Sequence, residues 1–438
     1  MTHKNLTLVV ASICLVTSFG DRQSWGSSSL NLNDAVQEAV AHSPRLAQAQ
    51  ASREESFWKK TEALSGFLPS VNVTAQHFFA KKYQFTDIVF GGAPASIPGI
   101  FPTSAAALNV SIPIFDGFQN VHRYKAAGLQ ASAAESDLQW AEFQLQKDIQ
   151  LKFYQVIAAR EIQAVAEQNL KTLQDHYDQV KTLKSGGVAT LYDVLRVDVQ
   201  LNEAKSEILN TQDNYALARQ RLITAMGIEK DDREVAGSLP VPETGRLTEV
   251  SGTDMKSRPD LEALEKRFQA SEQLESASGS FLIPKITLAG QYSSYNNLND
   301  SIRDFDRYRS AYNLGLFLNW NLFDGMASIA RSKESVYQKI QIEKAYEQTR
   351  IQAPTDLDFW KRRYLYSASI FAAKRSDLEK SKESVRLSTE GFRAGVRTNT
   401  EILDSELDLF RSRAGVVNAQ MNCVEALIKV ELSLGRNL

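Results

Sequence analysis

The sequence has almost no cysteine. Cys14 and Cys423 are the two among 438 residues. Histidine is scarce as well: His3, His42, His77, His122 and His176 lie far apart, and no HExxH, CxxC, P-loop or GxGxxG pattern occurs. Those spacings are what metal, redox and nucleotide chemistry would need, so no cofactor and no enzyme activity is expected. An excess of charge of one sign is also missing, with 50 basic against 52 acidic residues, which removes any sequence-wide bias toward nucleic acid. No apolar run approaches the roughly 18 residues of a membrane-crossing helix.

What is present begins at the N-terminus. Lys4 precedes a mostly apolar run from Leu6 to Val16, followed by small residues Ser18 and Gly20. That is the layout of a secretory signal peptide over residues 1–20. Ile13 stands where a lipoprotein signal wants a small residue, so acylation of Cys14 is not expected. Removal of the signal leaves Cys423 without a partner, and the exported protein must be held together by packing rather than by a disulfide.

The chain is written twice. Ser43-Pro44-Arg45-Leu46 faces Arg258-Pro259-Asp260-Leu261, and Phe67-Leu68-Pro69 faces Leu282-Ile283-Pro284, both 215 residues on. From Phe115-Asp116-Gly117 and Phe323-Asp324-Gly325 onward the offset is 208. Gly187, Thr190, Leu195, Leu201, Asn214, Ala218 and Gly227 then recur as Gly395, Thr398, Leu403, Leu409, Asn422, Ala426 and Gly435. Self-similarity on this scale marks a duplicated structural unit. The expected division is a first repeat at 29–227 (helix, two strands, long helical hairpin), a linker at 228–256, and a second repeat at 257–435.

Within each half the periodicity changes in the same order. Leu108, Val110, Ile112 and Ile114 alternate with Asn109, Ser111 and Pro113. Tyr312, Leu314, Leu316, Leu318, Trp320 and Leu322 alternate in the same way. A period of two predicts strands, with partners from Val71 to about Phe85 and from Ile286 to about Tyr295. Gly/Pro-rich Gly91–Pro102 and polar Asn296–Asp306 read as the connecting loops. Breaker-poor stretches from about Gln119 to Lys184 and Ala327 to Arg393 predict helices roughly 100 Å long at 1.5 Å per residue. Gly186-Gly187 and Gly395 break them, and returning helices end at Gly227 and Gly435, where a C-terminal glycine cap belongs. Pro354 interrupts the second run with no match at Gln146, so the two antiparallel hairpins are expected to bend differently.

Four strands with one apolar face would expose a greasy surface and both edges if left alone. In an exported chain without a spanning helix, closure of several copies into a barrel resolves both, because every backbone group must be paired in lipid. Trp320, Phe323 and Phe115 at the strand ends suit a headgroup belt. The alternatives are a soluble sheet with one buried face and a plain coiled coil.

The paired Phe-Asp-Gly turns, with Gly187-Val188-Ala189-Thr190-Leu191-Tyr192-Asp193-Val194-Leu195 matched by Gly395-Val396-Arg397-Thr398-Asn399-Thr400-Glu401-Ile402-Leu403, resemble the duplicated signature of TolC-like outer-membrane efflux proteins. The resemblance covers nearly the whole mature chain. It implies a mainly α fold with a membrane β-barrel portion: a homotrimer whose subunits each lend four strands to a twelve-stranded barrel, continued by a periplasmic α-helical tunnel. It further implies an exit duct in the outer membrane, with outer-membrane lipid, a periplasmic adaptor and an inner-membrane transporter as partners, and no nucleic acid. A pore-less periplasmic coiled-coil adaptor or scaffold is the alternative.

On the barrel reading, Leu108, Val110, Ile112, Leu314, Leu316, Leu318 and Trp320 face lipid. The resemblance places adaptor contact at the tips Gly187, Val188, Gly395 and Val396, where the alternative is a simple helix-breaking turn. It places the periplasmic gate at Glu401 and Asp404, three apart on one helix face, and at Arg397, which would be tied to Asp193 on the other hairpin. An acidic helix face is otherwise simply solvated. Phe392 stands where some members carry a tyrosine of that latch.

Overall fold

The computed structural model describes residues 29–79, 85–98, 102–247, 258–298 and 301–438. The signal-peptide expectation and part of the expected linker lie outside the described residues. In chain order, helices α1 (Leu32–His42) and α2 (Pro44–Ser65) lead to strands β1 (Ser70–His77), β2 (Phe85–Phe90), β3 (Ala93–Pro98) and β4 (Ser104–Phe115), then helices α3 (Gln119–Ser185) and α4 (Leu191–Met226). The second half runs α5 (Pro259–Gly279), β5 (Lys285–Asn296), β6 (Arg309–Asn319), α6 (Ala327–Arg393) and α7 (Asn399–Leu434).

Both repeats start and turn by the same local chemistry. Proline opens α2 and α5, where its missing N–H is not needed and its fixed φ suits the first helical turn. Each Phe-Asp-Gly turn puts two successive residues in the left-handed region, Gly117 and Phe118 in one and Gly325 and Met326 in the other. The aspartate then satisfies the start of the long helix. Asp116 accepts from the Asn120 N–H at 2.7 Å, and Asp324 from the Ser328 N–H at 3.0 Å. Thus α3 and α6, 67 residues each, begin at the same point relative to their Phe-Asp-Gly turns. Pro354 lies inside α6, which continues past it as one helix.

The main sheet is antiparallel in the order β1-β4-β5-β6, so the central pair joins the two repeats. The structure has more strands than the sequence predicts. Instead of one strand from Val71 to about Phe85 and a loop from Gly91 to Pro102, β1 stops at His77, and β2 and β3 form a separate hairpin. It turns at Gly91 and Gly92, both at positive φ. At the other edge β6 ends at Asn319, short of the expected Leu322. Trp320 is therefore not a strand residue, and its indole Nε1 donates to the Leu282 carbonyl at 3.2 Å.

Where the helices cross the middle of the chain they bury two cores. One gathers Leu145, Ile149, Phe153 and Val156 of α3 with Leu222 and Met226 of α4, Ala35 and Ala39 of α1, and Val235 and Leu239 of the segment after α4. The other gathers Leu357, Tyr364 and Phe371 of α6 with Cys423, Val430 and Leu434 of α7. The repeats are joined between α3 and α7 by Lys147 and Glu431, 2.5 Å apart with both side chains buried.

Gly227 and Gly187 both sit at positive φ, but for different reasons. A Cβ on Gly227 would fall 2.5 Å from the His42 carbonyl oxygen, whereas one on Gly187 would meet nothing. Gly187→Ala should therefore carry only the left-handed penalty of about 1–2 kcal/mol. Gly227→Ala adds a clash with backbone and should lower the thermal midpoint of the purified protein clearly further. Equal midpoints would contradict the close approach of α1 to the end of α4.

Candidate functional site

The two faces of the main sheet differ in kind. Register places Val71 beside Val110, Val73 beside Leu108, Ile112 beside Leu288, and Leu288 beside Leu316, with Leu314 and Leu318 on the same face. Leu314, Leu316 and Leu318 are 74%, 70% and 66% exposed, so the largest aliphatic side chains of β6 lie on an open surface. The opposite face carries a row of amides in register: Asn72, Asn109, Gln291 and Asn313. Gln291 Nε2 donates to Asn109 Oδ1 at 2.9 Å, and longer contacts of 3.5 Å link Asn109 to Asn72 and Asn313 to Gln291. One apolar and one amide face on a single sheet suits a boundary between hydrocarbon and water.

At the far end of the hairpins the two tips are built alike. Gly187 and Gly395 are left-handed, and the next residue folds back onto the helix just ended: Val188 N–H to Leu183 O, Val396 N–H to Gly391 O, each 2.9 Å. Threonine then starts the returning helix with a reciprocal capping box. Thr190 Oγ1 accepts from the Asp193 N–H while Asp193 accepts from the Thr190 N–H, and Thr398 and Glu401 repeat the arrangement. Val188 and Val396 project from the tips, nearly four-fifths exposed.

These caps occupy the carboxylates expected at the gate. Hydrogen bonds from the Thr190 hydroxyl and N–H hold Asp193 below the usual carboxylate range, and the Thr398 N–H does the same for Glu401. Arg397 pairs with Glu401 of its own turn at 3.2 Å. Asp404 is exposed one turn on. Within one chain the structure does not form the expected Arg397–Asp193 tie, although both residues line the same open cleft of about 930 Å³ between the two tips, with Phe392 and Asn399.

A polar contact that does cross between the hairpins near their tips is one the sequence reading missed. Asn399 Oδ1 lies 2.7 Å from His176 Nε2 of α3, and Asn399 Nδ2 donates to the Asp193 carbonyl of α4 at 3.4 Å. Because the amide nitrogen is committed to that carbonyl, its oxygen faces the imidazole, which makes His176 Nε2 the donor. His176 is buried, its pKa is pushed down by that burial, and Phe392 packs edge-on against its ring. His122 and His77 instead bond Gln273 and Ser104.

The family model described as outer membrane efflux protein matches residues 35–228 and again 254–436. The chain belongs to the outer membrane efflux protein family. Its relatives include the pyoverdine export outer membrane protein OpmQ of Pseudomonas aeruginosa, 24% identical over 94% of this chain and 87% of the relative. Outer membrane protein TolC of Vibrio cholerae is 20% identical over 92% of this chain and 90% of its own. Among solved structures, the Campylobacter jejuni CmeC outer membrane channel superposes with a TM-score of 0.78 at 15% identity, covering 99% of this chain and 94% of that one. As a member of the efflux family the chain is an outer-membrane channel protein, and its fold is the mainly helical, duplicated fold of TolC-like channels.

In this efflux protein no described helix is long and apolar enough to cross a membrane, a statement that leaves strands untouched. Among the described residues no group of three or more His, Cys, Asp or Glu is placed to hold a metal. The capping boxes had a signal that sequence reading could have used, Thr-x-x-Asp at 190–193 and Thr-x-x-Glu at 398–401. Asn399 had none, because its partner is 223 residues away.

Proposed function

We propose that three copies close their four-stranded sheets into one twelve-stranded barrel across the outer membrane, and that the α3/α4 and α6/α7 hairpins continue it as a periplasmic tunnel. The duct passes substrates outward by passive transport, from an inner-membrane pump and its periplasmic adaptor to the exterior, in tripartite efflux or type I secretion, and performs no catalysis. The observation that carries this reading is the sheet. Among the described residues it has an uncovered aliphatic face, a face of hydrogen-bonded amides and two unpaired edges, β1 and β6, and closure with further copies satisfies all three requirements in lipid. Leu108, Val110, Ile112, Leu314, Leu316 and Leu318 then face lipid, while Asn109, Gln291 and Asn313 face the lumen. Gly187, Val188, Gly395 and Val396 are proposed to meet the adaptor, and Asp193, Arg397, Glu401 and Asp404 to surround the entrance.

Single cysteines in the purified, membrane-reconstituted protein test it. A charged thiol reagent should modify Asn313→Cys and spare Leu314→Cys, since adjacent strand residues face opposite sides. The reverse pattern, or release of the native protein from membranes without detergent, would sink the barrel.

A further inference from the structure

A second acid is buried on the face of α7 that carries Asn399 and Leu403. Glu406 is 8% exposed, and its Oε2 is buried without a hydrogen-bond partner. It follows Leu403 by three residues and Asn399 by seven, so the three share one helix face. Leu403 packs with Leu173 and Val180 of α3 and with Val194, Val197 and Leu201 of α4, and Asn399 reaches His176. Glu406 thus lies in the seam where the second hairpin closes on the first. About seven turns further along the same face of α7, Glu431 is buried too, but there Lys147 meets it at 2.5 Å.

Among the described residues no cation compensates Glu406. On α6, Arg386 is held by Glu383 and Glu390. On α4, Arg196 bonds Tyr192 and Asp193 is spent in its cap. On α3, His176 is engaged by Asn399, and Lys171 and Asp175 are exposed. On α7 itself Arg397 pairs with Glu401, and Asp404 and Asp408 are exposed. Burial alone therefore acts on the Glu406 carboxyl and pushes it up from 4.5 to about 7.

We propose that Glu406 is a proton-sensitive closure element of the periplasmic entrance, neutral and buried while α7 packs against α3 and α4, and ionised when the second hairpin moves away and water reaches it. The inference rests on the channel reading above. An acid whose pKa is raised in the closed arrangement takes up a proton on closing. Closure is therefore strongest below about pH 4.5, weakens as pH rises toward 7, and is constant above that. His176 acts in the opposite sense, since its burial favours the neutral ring; protonation resists closure only below about pH 6.5. Between pH 6.5 and 7 the carboxyl acts alone, and from pH 6 to 7.5 its linkage shifts the open–closed equilibrium by roughly tenfold toward open.

The experiment compares the full-length detergent-purified trimer with Glu406→Gln in planar bilayers at pH 6 and pH 7.5. The isosteric amide cannot ionise while His176 is common to both proteins, so the ratio of the parent's open fraction to the variant's should rise roughly tenfold from pH 6 to pH 7.5. A variant that follows pH as the parent does overturns the proposal. A parent that forms no pore at either pH overturns the channel reading instead. If Glu406→Gln yields no trimer, hydrogen exchange over residues 402–409 of the parent decides: with His176 opposing the carboxyl below pH 6.5, corrected rates should still be at least about twofold faster at pH 7.5 than at pH 6, and equal or slower rates overturn it.

Discussion

Replacing Lys147 by methionine should be among the most damaging single substitutions in the chain. Lys147 and Glu431 are both buried, and they join α3 of the first repeat to α7 of the second. Lys147 also donates to Gln150, and Glu431 accepts from the Leu438 N–H, so the pair is embedded in a small network. Removing one partner leaves a buried charge without compensation, at about 3–5 kcal/mol. The folded trimer should be recovered in much lower yield, with a depressed thermal midpoint. Replacing both, as Lys147→Met with Glu431→Met, removes the uncompensated charge as well and should return the midpoint to near the parent, because apolar replacement of a buried pair is often neutral. The comparison is decisive in its order. If the single variant is as stable as the parent, water reaches the pair and it carries no structural weight.

The helical part of the molecule was legible from its breakers. The expected runs from about Gln119 to Lys184 and from Ala327 to Arg393 match α3 and α6 to within a residue. Few residues inside them compete with the helix, and glycines at the left-handed positions stop it at both ends of each hairpin. The sheet was legible in its centre and not at its margins. Lys285–Asn296 was read nearly as it stands, but the β2/β3 hairpin was lost. Pro94 and Pro98 inside β3 argue against a strand, and Gly91-Gly92 was read as part of a loop when two adjacent residues at positive φ make a tight hairpin turn. At β6 the alternation of side chains runs on to Leu322 in the sequence, while backbone pairing to β5 stops at Asn319. Alternation reports which face a residue would take, not where the ladder ends.

The entrance was the least legible part, since a tie between the hairpins is a contact between residues far apart in sequence. The largest change there is expected from Asn399→Leu. The Thr398–Glu401 capping box starts α7 without help from the Asn399 side chain, so the helix should survive the substitution. The loss falls on the other hairpin: His176 keeps a buried Nε2 with no acceptor, and the Asp193 carbonyl loses its donor. An unsatisfied buried polar group costs about 1–3 kcal/mol, which shifts the balance between closed and separated hairpins by roughly 5- to 150-fold. In planar bilayers the variant should show raised conductance. Arg397→Ser removes an exposed, solvent-screened pair within one helical turn, and should change conductance little through contacts inside one chain. His176→Leu combined with Asn399→Leu removes both halves of the buried bond and should conduct closer to the parent than Asn399→Leu alone. Should Arg397→Ser instead open the channel more than Asn399→Leu does, the entrance is held by a contact that Arg397 makes to a neighbouring copy, and the Asn399–His176 bond merely aligns the two hairpins of one chain.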